Sequence, residues 1–138
     1  VPAYFDVYFG SHSGRQGSIT EDLERIIGLK FEPIEEIYAD HIAVRNPGTN
    51  HFISYELLLK QSLSEDLDED MGIPFTQMPH SVTVRGPRGD EEQHKALAQG
   101  IFTQLKENGY KPIYFVYDLD DVIDFWDPDQ KGEHSKDF

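Results

Sequence analysis

The chain has no cysteine. That excludes a disulfide scaffold, a thiol nucleophile and a cysteine-ligated zinc. No stretch approaches the ~20 consecutive apolar residues that a bilayer-spanning helix needs. Bases are scarce, with 12 Lys and Arg against 26 Asp and Glu, a formal net charge of −14 over 138 residues. Such a field repels nucleic acid and anionic membrane and speeds encounter with a basic partner. Aromatic residues are not scarce. Nine Phe, seven Tyr and one Trp argue against disorder, because disordered chains are poor in aromatics. The length fits one domain with a hydrophobic core, so residues 1–138 are expected to form a single domain with 131–138 as a frayed tail. The lack of cysteine and the start Val1-Pro2-Ala3, without a basic or apolar leader, fit a cytoplasmic location.

The acidity is concentrated. Glu65-Asp66-Leu67-Asp68-Glu69-Asp70 holds five acids and no base, and Asp118 to Phe138 holds eight acids against Lys131 and Lys136. The rest of the chain carries thirteen acids and ten bases, a net of −3. A near-neutral body therefore carries two acidic segments.

Tyr4 to Phe9 alternates, with Phe5, Val7 and Phe9 on one face and Tyr4, Asp6 and Tyr8 on the other, the pattern of a half-buried strand. Ser18-Ile19-Thr20-Glu21 has the form of a capping box, Leu23, Ile26 and Ile27 give a buried helical stripe, and Gly28 is the stop. Phe31 to Tyr38 is ambiguous, and Pro33 disfavours a central strand there. Asp40–Arg45 and His51–Leu59 flank Asn46-Pro47-Gly48-Thr49-Asn50 and predict a hairpin. Gln61 to Pro79, with weak periodicity and the first acidic cluster, predicts a long excursion of the functional or mobile kind. Ser81 to Arg85 is a strand with Val82 and Val84 buried. Asp90 to Asn108 is the clearest helix: Asp90 is placed to cap it, Gln93 stands at the capping-box position, and Leu97, Ala98, Ile101, Phe102 and Leu105 form its apolar stripe. Ile113 to Tyr117 is a strand, and Asp120 to Trp126 is read as one or two helical turns. The expected fold is α+β, a mostly antiparallel sheet of about five strands with two helices packed on one face.

The loop after the first strand is the most suggestive motif. Val7-Tyr8-Phe9-Gly10-Ser11-His12-Ser13-Gly14 resembles the phosphate loop of flavodoxins, in which small residues let backbone N–H groups surround a phosphate. The resemblance covers about eight residues and then stops, because a flavodoxin needs repeated strand–helix units where this chain places a hairpin and a long loop. A nucleotide or flavin held by Gly10 to Gly17 is one alternative function.

The acidic segments do not form a recognised metal motif. Asp66, Asp68 and Asp70 have calcium-loop spacing, but the glycine falls one place late at Gly72 and Gln77 stands at the closing position. Asp127, Asp129 and Gly132 keep the spacing, but Lys131 and Phe138 occupy ligand positions. Asp118, Asp120, Asp121 and Asp124 lack the basic partner that a metal-dependent nuclease brings to its phosphate. The six histidines are scattered, and only His41 and His51, on the two strands of one hairpin, have a route to each other. No catalytic residue, cofactor or metal is assigned.

Phe125-Trp126 lies inside the second acidic segment, between Asp124 and Asp127. It either packs that segment onto the sheet or anchors a partner, tryptophan being enriched at binding hot spots. In overall character the chain resembles small, acidic, cysteine-free bacterial immunity proteins that neutralise nuclease toxins. The resemblance is one of class and rests on no signature motif. It implies a non-catalytic binding protein that masks a basic protein partner and binds neither nucleic acid nor membrane. The partner-binding residues expected are Glu65, Asp66, Asp68, Glu69, Asp70, Asp118, Asp120, Asp121, Asp124, Phe125 and Trp126, with arginines of the partner pairing to these carboxylates. A further alternative is a structural subunit whose acidic segments only solvate it.

Overall fold

The computed structural model describes residues 4–10, 18–59, 72–118 and 121–128. In chain order the elements are β1 (Phe5–Phe9), α1 (Ile19–Ile27), β2 (Glu32–Glu36), β3 (Ala39–Arg45), β4 (Ile53–Leu58), a 3-10 turn (Phe75–Gln77), β5 (His80–Arg85), α2 (Glu91–Glu107), β6 (Ile113–Tyr117) and β7 (Asp121–Trp126). The strands form one sheet in the order β2-β3-β4-β5-β1-β6-β7. Every neighbouring pair is antiparallel. The α+β class and the two helices agree with the sequence. The sheet has seven strands rather than about five.

The two extra strands are the sheet's edges. β2 contains Pro33, which lacks an N–H and is tolerated because β2 pairs with β3 alone. β7 replaces the expected helical turns. Its residues pair with β6 from Ile113↔Trp126 to Tyr117↔Asp121, with a register shift at Phe115/Val116. That irregularity interrupts the two-residue alternation, and acids three apart at Asp121 and Asp124 then imitate a helical face.

The two faces of the sheet are covered differently. On one, Phe5, Val7 and Phe9 from β1, Val82 and Val84 from β5, Tyr55 and Leu57 from β4, and Ile113 and Phe115 from β6 pack against Leu23 and Ile27 of α1 and Ala98, Ile101, Phe102 and Leu105 of α2. This is the expected core. The other face has its own smaller core, where Ile73, Phe75 and Met78 bury Tyr114 and Val116, with Tyr8, Val122 and Phe125 at its margin. The end of the expected solvent excursion is thus a lid on the sheet, and it half-buries Tyr8, which alternation had placed towards water.

Local signals behave largely as read. Ser18 Oγ accepts from the Glu21 N–H at 3.0 Å, and Gly28 closes α1 in the left-handed region at φ 81°. α2 ends where Asn108-Gly109 predicts, with Gly109 N–H donating to Lys106 O and Tyr110 N–H to Leu105 O. Its start differs: Asp90 makes no side-chain cap, and the Glu91 carboxylate instead accepts from the Gly89 N–H at 3.0 and 3.2 Å. The backbone N–H of Glu91 itself, and after it that of Gly89, hold the Glu91 carboxyl below its ordinary value.

Gly10 has a structural task. A Cβ there would collide with the Lys111 carbonyl and stand 2.7 Å from that of Gln77, and its N–H donates to Pro112 O at 2.9 Å. The rest of the flavodoxin-like loop, residues 11–17, lies outside the described residues, as do the acidic cluster Glu65 to Asp70, Asp120 and the tail 131–138. Among the described residues no helix is long and apolar enough to cross a membrane.

Candidate functional site

The described part of the second acidic segment includes β7, which pairs with β6 as a hairpin. Asp118 sits at its turn, exposed and with φ 51°, and Asp121 opens β7, exposed opposite Tyr117. Asp124 is half-buried, and its Oδ1 accepts from the Phe125 N–H at 2.8 Å. Phe125 turns inward and stacks on Tyr114, with ring centroids 5.1 Å apart and planes 18° from parallel. Trp126, at the far end of the strand, is 37% exposed, and the Lys106 ammonium lies 4.4 Å from its ring centroid. Asp127 is buried. Asp121 and Trp126 are separated by five residues of extended chain, about 16 Å at the usual rise. The neighbour over the tryptophan ring is therefore a cation, and Asp118 and Asp121 gather at the opposite end of the hairpin.

A second acidic edge was not singled out by the sequence. β2 reads Glu-Pro-Ile-Glu-Glu, with Glu32, Glu35 and Glu36 all exposed. Glu36 pairs with Ala39, so Ile37 and Tyr38 alone form the tip of the β2–β3 hairpin. Ile37 is 98% exposed and Tyr38 49%. Tip positions ordinarily carry Gly, Asn, Asp or Pro for conformational reasons. An isoleucine held in water after two glutamates satisfies no such need. The signal available in the sequence was this one: a β-branched residue at a turn, directly after the acidic pair Glu35-Glu36.

The tip connects to a buried polar row. Tyr38 reaches Arg85 on β5, whose guanidinium carbon lies 5.8 Å from the Tyr38 ring centroid and 4.1 Å from that of Tyr4. Arg85 Nε lies 3.0 Å from Glu56 Oε1, an ion pair without the alignment of a hydrogen bond. Register places Glu56, Thr83 and Asp6 side by side across β4, β5 and β1. Thr83 Oγ1 donates a short hydrogen bond to Asp6 Oδ1. Both carboxylates are almost wholly buried. Burial pushes the Asp6 carboxyl up, against the opposing effects of Thr83 and Arg85. Burial also pushes Glu56 up, with Arg85 opposing and Asp6 adding. Tyr8, on the same face, is raised by burial and by the Asp6 charge. This row holds perturbed acids, but it is enclosed among β4, β5 and β1, with Asp6 held by Thr83 and Glu56 paired with Arg85.

The described histidines do not assemble. His41 pairs with Leu57 while His51 lies beyond the Arg45–Ile53 pair, at opposite ends of the β3–β4 hairpin. His80 packs on Phe9 at 5.3 Å, and His94 is buried against Gly86, where any Cβ would strike its imidazole. Among the described residues no group of three or more His, Asp or Glu is placed to hold a metal ion. The chain matches no family model, no curated protein and no solved structure.

Proposed function

We propose that this protein is a non-catalytic binding protein that docks an acidic sheet edge onto a basic protein surface, as a toxin-neutralising immunity protein would. The observation that carries the reading is Ile37, 98% exposed at a hairpin tip between Glu35-Glu36 and Tyr38. An apolar anchor rimmed by carboxylates suits a partner with an apolar pocket surrounded by Arg or Lys. The anchor supplies desolvated area, and the rim supplies steering and charge-assisted pairing. The opposite edge, with Asp118, Asp121 and Trp126, is a second contact. It ranks lower because Lys106 already occupies the face of the tryptophan. Engagement of Asp6 by Thr83 and of Glu56 by Arg85 supports a structural rather than catalytic part for the buried row.

The test is affinity capture from source cells with the wild-type chain and with a Glu35→Lys, Glu36→Lys, Ile37→Lys variant in parallel. The reading expects a basic polypeptide held by the wild type, released by salt and missing from the variant. Equal capture by both chains, or a partner without excess positive charge, refutes it.

A further inference from the structure

Arg45 is an oddity in so acidic a chain. It is half-buried on β3, on the helix-covered face, and no carboxylate pairs with it among the described residues. Its one side-chain hydrogen bond among the described residues runs from Nη2 to the carbonyl of Ile27 at 2.8 Å, at the C-terminal end of α1. Its Nε is buried and has no acceptor. Guanidinium groups removed from water are normally paired, and with 26 acids in the sequence a partner was easily supplied.

Arg45 is one of the residues lining a groove of about 270 Å³ between α1, α2 and the sheet. Its other walls include Ile26, Tyr55, Leu97, Ile101 and Gly100. Gly100 is a second oddity. It lies inside the 17-residue helix α2, where glycine is poorer than alanine, and a Cβ added to it would meet nothing within 4 Å. Packing does not require the glycine. Its lack of a side chain leaves that wall of the groove open.

We propose that this groove binds a small apolar monocarboxylate, with the carboxylate on the Arg45 guanidinium and the hydrocarbon body against Ile26, Leu97 and Ile101. The Nε and Nη2 edge of arginine matches the two oxygens of a carboxylate, and Nε is the donor that the protein leaves without an acceptor. The volume falls just under the ~300–1,000 Å³ typical of small-molecule pockets, which favours a short ligand over a peptide helix. The site lies on the helix-covered side of the sheet and does not depend on the docking role proposed for the β2–β3 tip.

The test uses octanoate as probe and octanol as its uncharged control, titrated into the full chain and followed by calorimetry and by backbone amide shifts. Octanoate should bind saturably, with a dissociation constant of about 1 mM or lower, and shift amides of α1, α2 and β3. Octanol should bind at least ~10-fold more weakly, the loss of a charge-assisted hydrogen bond. Arg45→Gln should bring octanoate down to the level of octanol. Gly100→Leu should abolish binding of both while leaving the chain folded, which keeps the test decisive should the Arg45 variant unfold. No saturable binding of octanoate, equal affinity for the two probes, or undiminished binding in Gly100→Leu would each overturn the proposal.

Discussion

The Lys106 ammonium rests 4.4 Å from the centroid of the Trp126 ring, joining the last turn of α2 to the outermost strand of the sheet. Trp126 is the chain's only tryptophan, so its fluorescence reports on this contact without interference. Replacing Lys106 with Met should change the emission and quenching of Trp126. It should cost about 0.5–1 kcal/mol, the range for an exposed cation–π pair. Chemical denaturation followed by fluorescence measures both. Unchanged emission would mean that the contact does not persist in solution.

The buried row makes a prediction about pH. Burial raises the folded-state values of Asp6 and Glu56 above their ordinary 3.8 and 4.5. A carboxyl whose folded value is raised binds protons more tightly in the native state, so it destabilises the fold when ionised. Its contribution therefore becomes more favourable as pH falls through the folded value, and levels off below the unfolded one. Asp6→Asn removes the charge and leaves the amide oxygen as an acceptor for Thr83. The variant should gain stability over the wild type near pH 7, and the gain should shrink as pH approaches 4. Urea denaturation at several pH values checks this. A variant less stable than wild type at pH 7, with a deficit that grows at lower pH, would contradict the assigned direction.

Two glycines should respond to alanine with opposite signs. At Gly86 the new Cβ strikes the buried His94 ring, and Gly86→Ala should cost about 1–3 kcal/mol, as overpacking does. At Gly100 the Cβ meets nothing, and Gly100→Ala should stabilise by up to about 1 kcal/mol through helix propensity. Thermal unfolding of the pair separates the two effects directly.

Asp22 and Tyr110 tie α1 to the segment that follows α2. Asp22 is buried, and its two oxygens accept from Arg25 Nη2 at 2.9 Å and from the Tyr110 hydroxyl. Tyr110→Phe keeps the ring that packs edge-on against Phe9 and removes only the hydroxyl. It should cost about 1.5–3 kcal/mol, the range for a hydrogen bond to a charged group. A neutral effect would show that water replaces the hydroxyl without penalty.

These interior contacts also show what was legible in the sequence. β1, the β3–β4 hairpin and both helices announce themselves, because each carries an apolar pattern whose periodicity is local. β7 does not: an irregular register against β6 sets Val122 and Phe125, three residues apart, on the same small core, and the alternation is lost. β2 has almost no buried face, so nothing in Glu-Pro-Ile-Glu-Glu alternates. The burial of Asp6 depends on Glu56, Thr83 and Arg85, which lie 50 to 79 residues away, a pairing that no local window contains. The acidic runs drew attention to β7. The exposed apolar anchor lies on the other edge, where three glutamates and one isoleucine form too short a pattern to stand out.

The central claim is that a basic partner docks on the tip of the β2–β3 hairpin. Its most direct test is backbone hydrogen exchange of the chain, free and bound to the basic polypeptide that it captures. The account predicts that binding slows exchange over residues 32–40. It also predicts that raising the salt concentration weakens this protection in step with a slower association rate. Protection confined to other segments, with residues 32–40 exchanging as in the free chain, would contradict it.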